Sequence, residues 1–178
     1  MEPDPVKFVI GVIYREGRFM EEAIGMLVDE LGETDSVSPP FSFNATDYYN
    51  EEMGSPLYRR FLSIKRLMSP GELVGVKLLS REIEKRLTDH GRRRVNLDPG
   101  YMDYGKFVLA SFKYKANKIY LDRGVYADPA LYYEKGMFRP YPWSFPDMRS
   151  GAYNDFFLNA RSLYREAMKE HRMRGAGC

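Results

Sequence analysis

Residues 6–14, Val-Lys-Phe-Val-Ile-Gly-Val-Ile-Tyr, carry β-branched or aromatic side chains at nearly every position. Such a run suits a pleated, enclosed backbone and predicts a buried strand. The period then changes. Phe19/Met20, Ala23/Ile24, Leu27/Val28 and Leu31 recur at i, i+4 around Glu21-Glu22, which predicts a helix with Gly32 as its stop. Phe41, Phe43 and Ala45 alternate with polar neighbours, so a half-buried strand is expected within 40–46. Residues 57–68 fit a short helical turn and then a strand near 61–66. Ser69-Pro70-Gly71-Glu72 is a helix start, with Ser as cap, Pro in the first turn and Glu completing a capping box. The helix face that follows is Val76, Leu79, Ile83 and Leu87, ending near Asp89-His90-Gly91. Residues 92–98 read as a strand, with Val95 and Leu97 inward and Arg92, Arg94, Asn96 and Asp98 on the other face.

This β-α-β-β-α-β order is the ferredoxin-like pattern. After it, Asp98-Pro99 predicts another helix. A three-stranded meander is expected at 118–121, 125–133 and 137–141, with turns at Asp122-Arg123-Gly124 and Lys135-Gly136. A Pro-rich aromatic segment, 140–150, leads into a closing helix over 151–172. The expectation is an α+β chain forming a single domain over 1–178. Its ferredoxin-like half spans 6–98, and 99–172 holds helix, meander and C-terminal helix.

Composition narrows the chemistry. No apolar run approaches the roughly 20 residues of a membrane helix. The acidic, Pro-punctuated start, Met1-Glu2-Pro3-Asp4-Pro5, lacks the basic and apolar regions of a signal peptide, so a cytoplasmic protein with no membrane partner is expected. Cys178 is the one cysteine, which leaves no internal disulfide and no thiolate zinc cage. His90 lies in a helix stop and His171 in the last turns of a helix, and neither G-x-S-x-G nor H-E-x-x-H occurs. An enzyme built from this chain works with carboxylates, Lys, Arg, Tyr or a bound magnesium ion. Charge is unevenly spread. Residues 1–58 hold 3 Lys+Arg against 12 Asp+Glu, a net of −9, while 59–178 hold 24 against 13, a net of +11. This predicts an acidic face and a basic surface that suits an anionic partner.

Gly100 to Lys106 match G-x-x-x-x-G-K, the start of a phosphate loop, between an expected strand and an expected helix. Phe107 stands where a magnesium-binding hydroxyl belongs, and Asp103 puts negative charge inside the loop, so the chain is not expected to be a phosphate-loop GTPase. The polar face of 92–98 is the better lead. Arg94 and Asn96 are expected side by side, about 7 Å apart, with Asp98 ending the row. Lys106, on the helix expected to follow, returns toward them. Arg94 and Lys106 would bind an anion, Asn96 would orient it, and Asp98 would act as acid/base or magnesium ligand. Asp47, Tyr48 and Tyr49 close a strand end, where ligand groups cluster, and Arg59-Arg60 form a second anion clamp or pair with Glu51 and Glu52. Trp143, Asp147 and Arg149 sit in a Pro-stiffened strap or lid.

Four segments together resemble a known family: Ala45-Thr46-Asp47-Tyr48-Tyr49, Pro56-Leu57-Tyr58-Arg59-Arg60-Phe61, Gly91 through Tyr101, and Tyr141 through Ser150. They are similar to an uncharacterised prokaryotic family of like length, a domain of unknown function sometimes labelled a GTP-binding protein. The resemblance covers nearly the whole chain and implies no assigned activity. Two functions follow from the residues. One is a site for an anionic small molecule, phosphorylated or nucleotide-like. The other is a non-catalytic module that binds RNA or a protein through a basic, Tyr-rich surface. Neither reading fixes an oligomeric state.

Overall fold

The computed structural model describes residues 2–44, 46 and 48–175. The elements in chain order are β1 (Val6–Tyr14), α1 (Gly17–Leu31), β2 (Thr34–Val37), β3 (Phe41–Ser42), α2 (Asn50–Met53), β4 (Tyr58–Met68), α3 (Leu73–Arg86), β5 (Val95–Met102), β6 (Lys106–Ser111), β7 (Ile119–Asp122), β8 (Val125–Glu134), β9 (Met137–Pro140), α4 (Pro146–Arg149) and α5 (Asn154–Gly175). The chain is α+β, with one open antiparallel sheet in the order β2-β4-β1-β5-β6-β8-β7. β3 adds to β4, and β9 adds to β8.

β1 is buried along its whole length because it is covered on both faces. Its even-numbered side chains, Phe8, Ile10 and Val12, meet α1 through Ala23, Leu27 and Leu31 and α3 through Val76 and Ile83, with Ile24 and Leu79 at the margin of the same cluster. Burying each such side chain contributes about 1.5–3 kcal/mol, so this face is the main apolar store of stability. Val9 turns the other way and packs with Phe61, Phe107, Leu109, Phe156 and Phe157, under α5. Ile13 joins Phe43, Met53 and Leu57 in a third, smaller cluster.

Local signals explain most boundaries. Ser69 and Glu72 form the expected capping box at a 3₁₀ turn that opens α3. Gly32 stops α1 at φ 92°. Arg123-Gly124 and Lys135-Gly136 both take positive φ at two successive residues, the two-residue hairpin geometry that matches strand twist, so both expected hairpins form; β7 and β9, however, both pair along the edge of β8 opposite β6, so the three strands are not the expected meander.

Several expectations need correction. α1 begins at Gly17, ahead of Glu21-Glu22. Among the described residues of 40–46 only Phe41–Ser42 are strand, with Ala45 outside the described residues, and β2 lies outside the expectation because Thr34–Val37 has little apolar alternation. Residues 58–68 are strand throughout, without a helical turn. Arg92–Arg94 precede the strand, which begins at Val95 and runs through Pro99 to Met102. No helix follows Asp98-Pro99: Asp103 accepts the Gly105 and Lys106 backbone N–H groups at 2.8 and 2.9 Å and turns the chain into β6. Pro99 is tolerated because β6 pairs with β5 only at Gly100, Tyr101 and Met102. The closing helix starts at Asn154 and runs past residue 172.

Candidate functional site

Side chains alternate across a strand, so Asn96 and Asp98 of β5 share the face opposite α1 and α3. Direct cross-strand partners also share a face. Asp98 lies opposite Gly11 of β1, and Gly11 in turn lies opposite Phe61 of β4. Asn96 lies opposite Ile13, which pairs with Arg59. With no side chain on Gly11, Arg59 and Phe61 lie close over β1: a Cβ there would come within 3.1 Å of the Phe61 ring. The result is a polar centre set between two apolar clusters.

Arg59 is the hub. Its side chain is 5% exposed, one terminal nitrogen binds Asp98 at 2.5 Å, and the other is paired with Asp147. The Phe43 and Phe61 rings lie 5.0 and 5.5 Å from its guanidinium carbon. Burial alone would lower the Arg59 pKa, but Asp147 and then Asp98 raise it, so the guanidinium stays charged. α4 carries Asp147 into the centre. Ser144 donates to the Ala130 carbonyl at 2.5 Å, Trp143 Nε1 donates to the Pro129 carbonyl at 2.9 Å, and Arg149 ties back to Ser144 and Pro142. The 141–150 segment is therefore a strap. Tyr153, at the start of α5, donates its hydroxyl to Asp147 at 3.0 Å. Burial, then the carboxylate beside each ring, pushes the Tyr153 and Tyr49 hydroxyls well above the ordinary phenol range, so both stay protonated donors.

β5 has no strand on its β6 side over 95–98, and α3 substitutes for one. Glu84 accepts the Leu97 N–H at 2.6 Å, and Lys77 donates to the Leu97 carbonyl at 3.0 Å. Burial raises the Glu84 pKa, while that N–H bond lowers it by less. Beside this gap, Arg93 donates to Asn96 Oδ1 at 3.0 Å and pairs with Glu52 at 2.6 Å. Two donors in the centre are left over. Asn96 is 6% exposed, and among the described residues its Nδ2 has no partner; neither has Arg59 Nε. A buried donor without an acceptor costs about 1–3 kcal/mol, so an unfilled donor in a polar centre invites a ligand oxygen. Asp98, 23% exposed, links the centre to solvent.

The seven residues singled out from the sequence divide as follows. Arg59, Asn96 and Asp98 come together. Asp47 lies outside the described residues. Tyr48 is exposed, edge-on to Tyr49 at 4.9 Å. Arg94 does not continue the row. It precedes the strand and turns to α1, pairing with Asp89 at 2.7 Å and Glu16 at 3.6 Å. Lys106 pairs with Asp103 at the far end of β5, about 26 Å from Arg94 at strand rise, so the two cannot hold one small anion. Arg60 points away from Arg59 and donates to the Ser38 carbonyl at 2.8 Å.

The phosphate-loop match is a β-hairpin. A Cβ at Gly100 would come within 2.5 Å of the Val108 carbonyl, so the glycine is required by close packing against β6. Among the described residues no three His, Cys, Asp or Glu side chains gather to hold a metal. Arg59 supplies the positive charge between Asp98 and Asp147 that a cation would otherwise provide. Two surface hollows, of about 570 and 320 Å³, are lined by Tyr132, Pro140, Tyr141, Pro142 and Arg149, and by residues around the α3 start; neither contains a predicted site residue. No described helix is long and apolar enough to cross a membrane.

Sequence reasoning named Tyr49 as part of a strand end, but missed Tyr153 and the part Asp147 plays. Asp147 lies 88 residues from Arg59, and no local pattern reports that distance. A family model described as a domain of unknown function, DUF4416, matches residues 4–164. No curated protein and no solved structure matches the chain.

Proposed function

We propose, for a chain that belongs to the DUF4416 family, a domain of unknown function, that its function is to bind a small oxygen-rich molecule at the Arg59–Asn96–Asp98 centre. The observation that carries this is Asn96 Nδ2, a buried donor with no partner among the described residues. A carbonyl, carboxylate or phosphate oxygen of the ligand takes that N–H. Asp98, partly open to solvent, accepts a ligand hydroxyl or ring N–H and is the group positioned for proton transfer. Arg59 holds Asp98 in place. Two carboxylates on one guanidinium leave the floor with an excess negative charge. A ligand with one negative charge or none therefore fits better than a di- or triphosphate, which narrows the anionic reading. Arg93 supplies the nearest rim cation.

The order β2-β4-β1-β5, with α1 and α3 on one face, supports a ferredoxin-like unit as the platform. The sheet running on through β6 and β8 supports one domain.

A thermal-shift screen over carboxylates, sugars, sugar phosphates, nucleotides and metal ions tests the reading. A ligand at 100 times its Kd stabilises by ~2.7 kcal/mol. The expected result is a shift with wild type that is lost in Asn96→Ala and in Asp98→Asn. If every stabilising compound acts equally on Asn96→Ala, the centre is structural and the proposal fails.

A further inference from the structure

We infer that the tyrosine-lined end of the sheet, where β6, β7 and β8 run past α5, binds single-stranded RNA. This surface meets the rim of the buried centre where Tyr48 packs edge-on to Tyr49, but its rings and lysines are other residues than Arg59, Asn96 and Asp98. Tyr120 on β7 pairs directly with Tyr126 on β8, and Tyr126 pairs with Ser111 on β6, so all three share a face. It is the face of Leu109, two residues before Ser111, which packs under α5. Here β7 is exposed along its length. The Tyr120 and Tyr126 ring centroids are 5.4 Å apart, and Tyr114 meets Tyr126 at 5.9 Å. Tyr114 is 73% exposed and Tyr120 58%. Next along the chain, the Lys113 ammonium sits 3.8 Å from the centroid of the exposed Tyr48 ring.

Large exposed rings held in contact are not what a solvated sheet end needs, and clustered exposed apolar area marks an interaction surface. The charges identify the partner. Residues 112–126 hold Lys113, Lys115, Lys118 and Arg123 against Asp122 alone. Lys118 is committed to Asp128 at 3.1 Å and Ser111 at 2.8 Å, which fastens the 112–118 loop to β8. Arg123 pairs with Asp122 at 3.3 Å. Lys113 and Lys115 remain without a carboxylate partner among the described residues. Two cations without a carboxylate partner among the described residues, beside edge-packed rings, repel a second copy of the same surface and attract a polyanion. Flat rings alternating with ammonium groups match bases that stack and phosphates that follow. The tyrosine hydroxyls, which phenylalanine would lack, offer a partner to the ribose 2′-OH, so RNA is the strand expected.

The test is fluorescence anisotropy of the full chain with a labelled ten-nucleotide oligouridine, the matching oligothymidine and a duplex, at low and physiological salt. The expected result is binding of the RNA strand that weakens with salt. Tyr114→Ala with Tyr120→Ala should weaken it about tenfold or more, because each stacked base contributes about 1–3 kcal/mol. Lys113→Glu with Lys115→Glu should weaken it and flatten the salt dependence. These side chains are exposed, and an unchanged melting temperature will show that each variant is folded. Asn96→Ala should bind RNA as wild type does, which keeps this result separate from the small-molecule proposal. No binding at low salt, equal binding by the tyrosine variant, or equal binding of DNA or duplex overturns the inference. So does a wild-type dimer, seen by light scattering, that Tyr120→Ala disperses, since the rings would then serve association through the β7 edge.

Discussion

The two faces of the sheet differ in kind. Under α1 and α3 lies one continuous apolar cluster, from Val6 at one end of β1 to Tyr14 at the other. Under α5 and the 41–57 segment the apolar packing is broken in two, and Arg59 with its carboxylates fills the break. The first face rests mainly on shape and volume, with Lys77 and Glu84 meeting the β5 backbone at its margin. The second bears the desolvation of Arg59, Asp147 and part of Asp98, and of the buried Lys7–Asp35 pair further along β1, which hydrophobic side chains of similar volume would avoid. A chain under pressure for stability alone would not keep Arg59. The asymmetry sets an apolar face beside a polar one, and single substitutions can test whether the polar one serves more than the fold.

The largest effect is expected at Arg59. Arg59→Ala leaves Asp98 and Asp147 facing each other without a cation, and breaking a buried pair in this way costs about 3–5 kcal/mol. Urea unfolding measures it. The sharper version replaces all three, Arg59→Met with Asp98→Leu and Asp147→Leu. Much of the lost stability should return while ligand shifts stay absent. If the triple variant is no more stable than Arg59→Ala, the centre is architectural.

Leu27→Ala probes the other face. Leu27 is fully buried between α1 and β1, and such truncations cost about 2–5 kcal/mol through lost transfer energy and a residual cavity. The same unfolding series should leave ligand and RNA binding unchanged at temperatures where the variant is folded. A specific loss of binding in folded Leu27→Ala would mean that the two faces are coupled.

The faces also differ in how far the sequence exposes them. Helical spacing around Leu27 and the Ser69 to Glu72 capping box are local signals, read within a few residues, and both hold in the fold. The Arg123-Gly124 and Lys135-Gly136 turns are equally local. Asp98-Pro99 misled because a capping Asp before Pro has the chemistry of a helix start. Here the missing N–H lies just where β5 lacks a β6 partner, a fact of sheet pairing and not of propensity. Asn96 and Asp98 could be named because strand alternation puts them on one face. Arg94 could not be excluded, since nothing local reports that the strand begins one residue later. The Arg59–Asp147 contact spans the chain and is visible only after folding.

A smaller effect is expected at Tyr164, where α5 seals the second face against the N-terminal segment. Its buried hydroxyl donates to the Pro5 carbonyl at 3.0 Å, and Tyr164→Phe should cost about 1 kcal/mol at neutral pH. Burial, then the neighbouring Tyr104 hydroxyl, pushes its pKa up to about 12. An unfolded tyrosine ionises near pH 10. Between those values the folded chain keeps a proton that the unfolded chain has lost, so wild-type stability falls as pH rises through this window. Melting temperatures from pH 9 upward should decline less steeply in Tyr164→Phe. Parallel curves for the two proteins would contradict the assignment.

The smallest effect is expected at Lys106, and it bears most directly on the comparison of faces. Gly100 to Lys106 has the spelling of a phosphate loop, so a nucleotide-binding reading requires Lys106 to matter. The hairpin gives it a different role. Its ammonium is exposed and pairs with Asp103 three residues away, while Phe107 behind it is buried under α5. Exposed ion pairs contribute about 0–1 kcal/mol, so Lys106→Ala should change stability by no more than that. It should leave every ligand shift at the Asn96 centre intact, because β5 separates the two by most of its length. Phe107→Ala, one residue on, should cost about 3–5 kcal/mol by emptying the packing beneath α5. Adjacent residues with so different an effect are the signature of a strand edge, with one side chain out and the next in. If Lys106→Ala instead removed a melting shift produced by GTP with magnesium, the loop would have to rearrange away from this hairpin, and the anion site would belong at this end of β5.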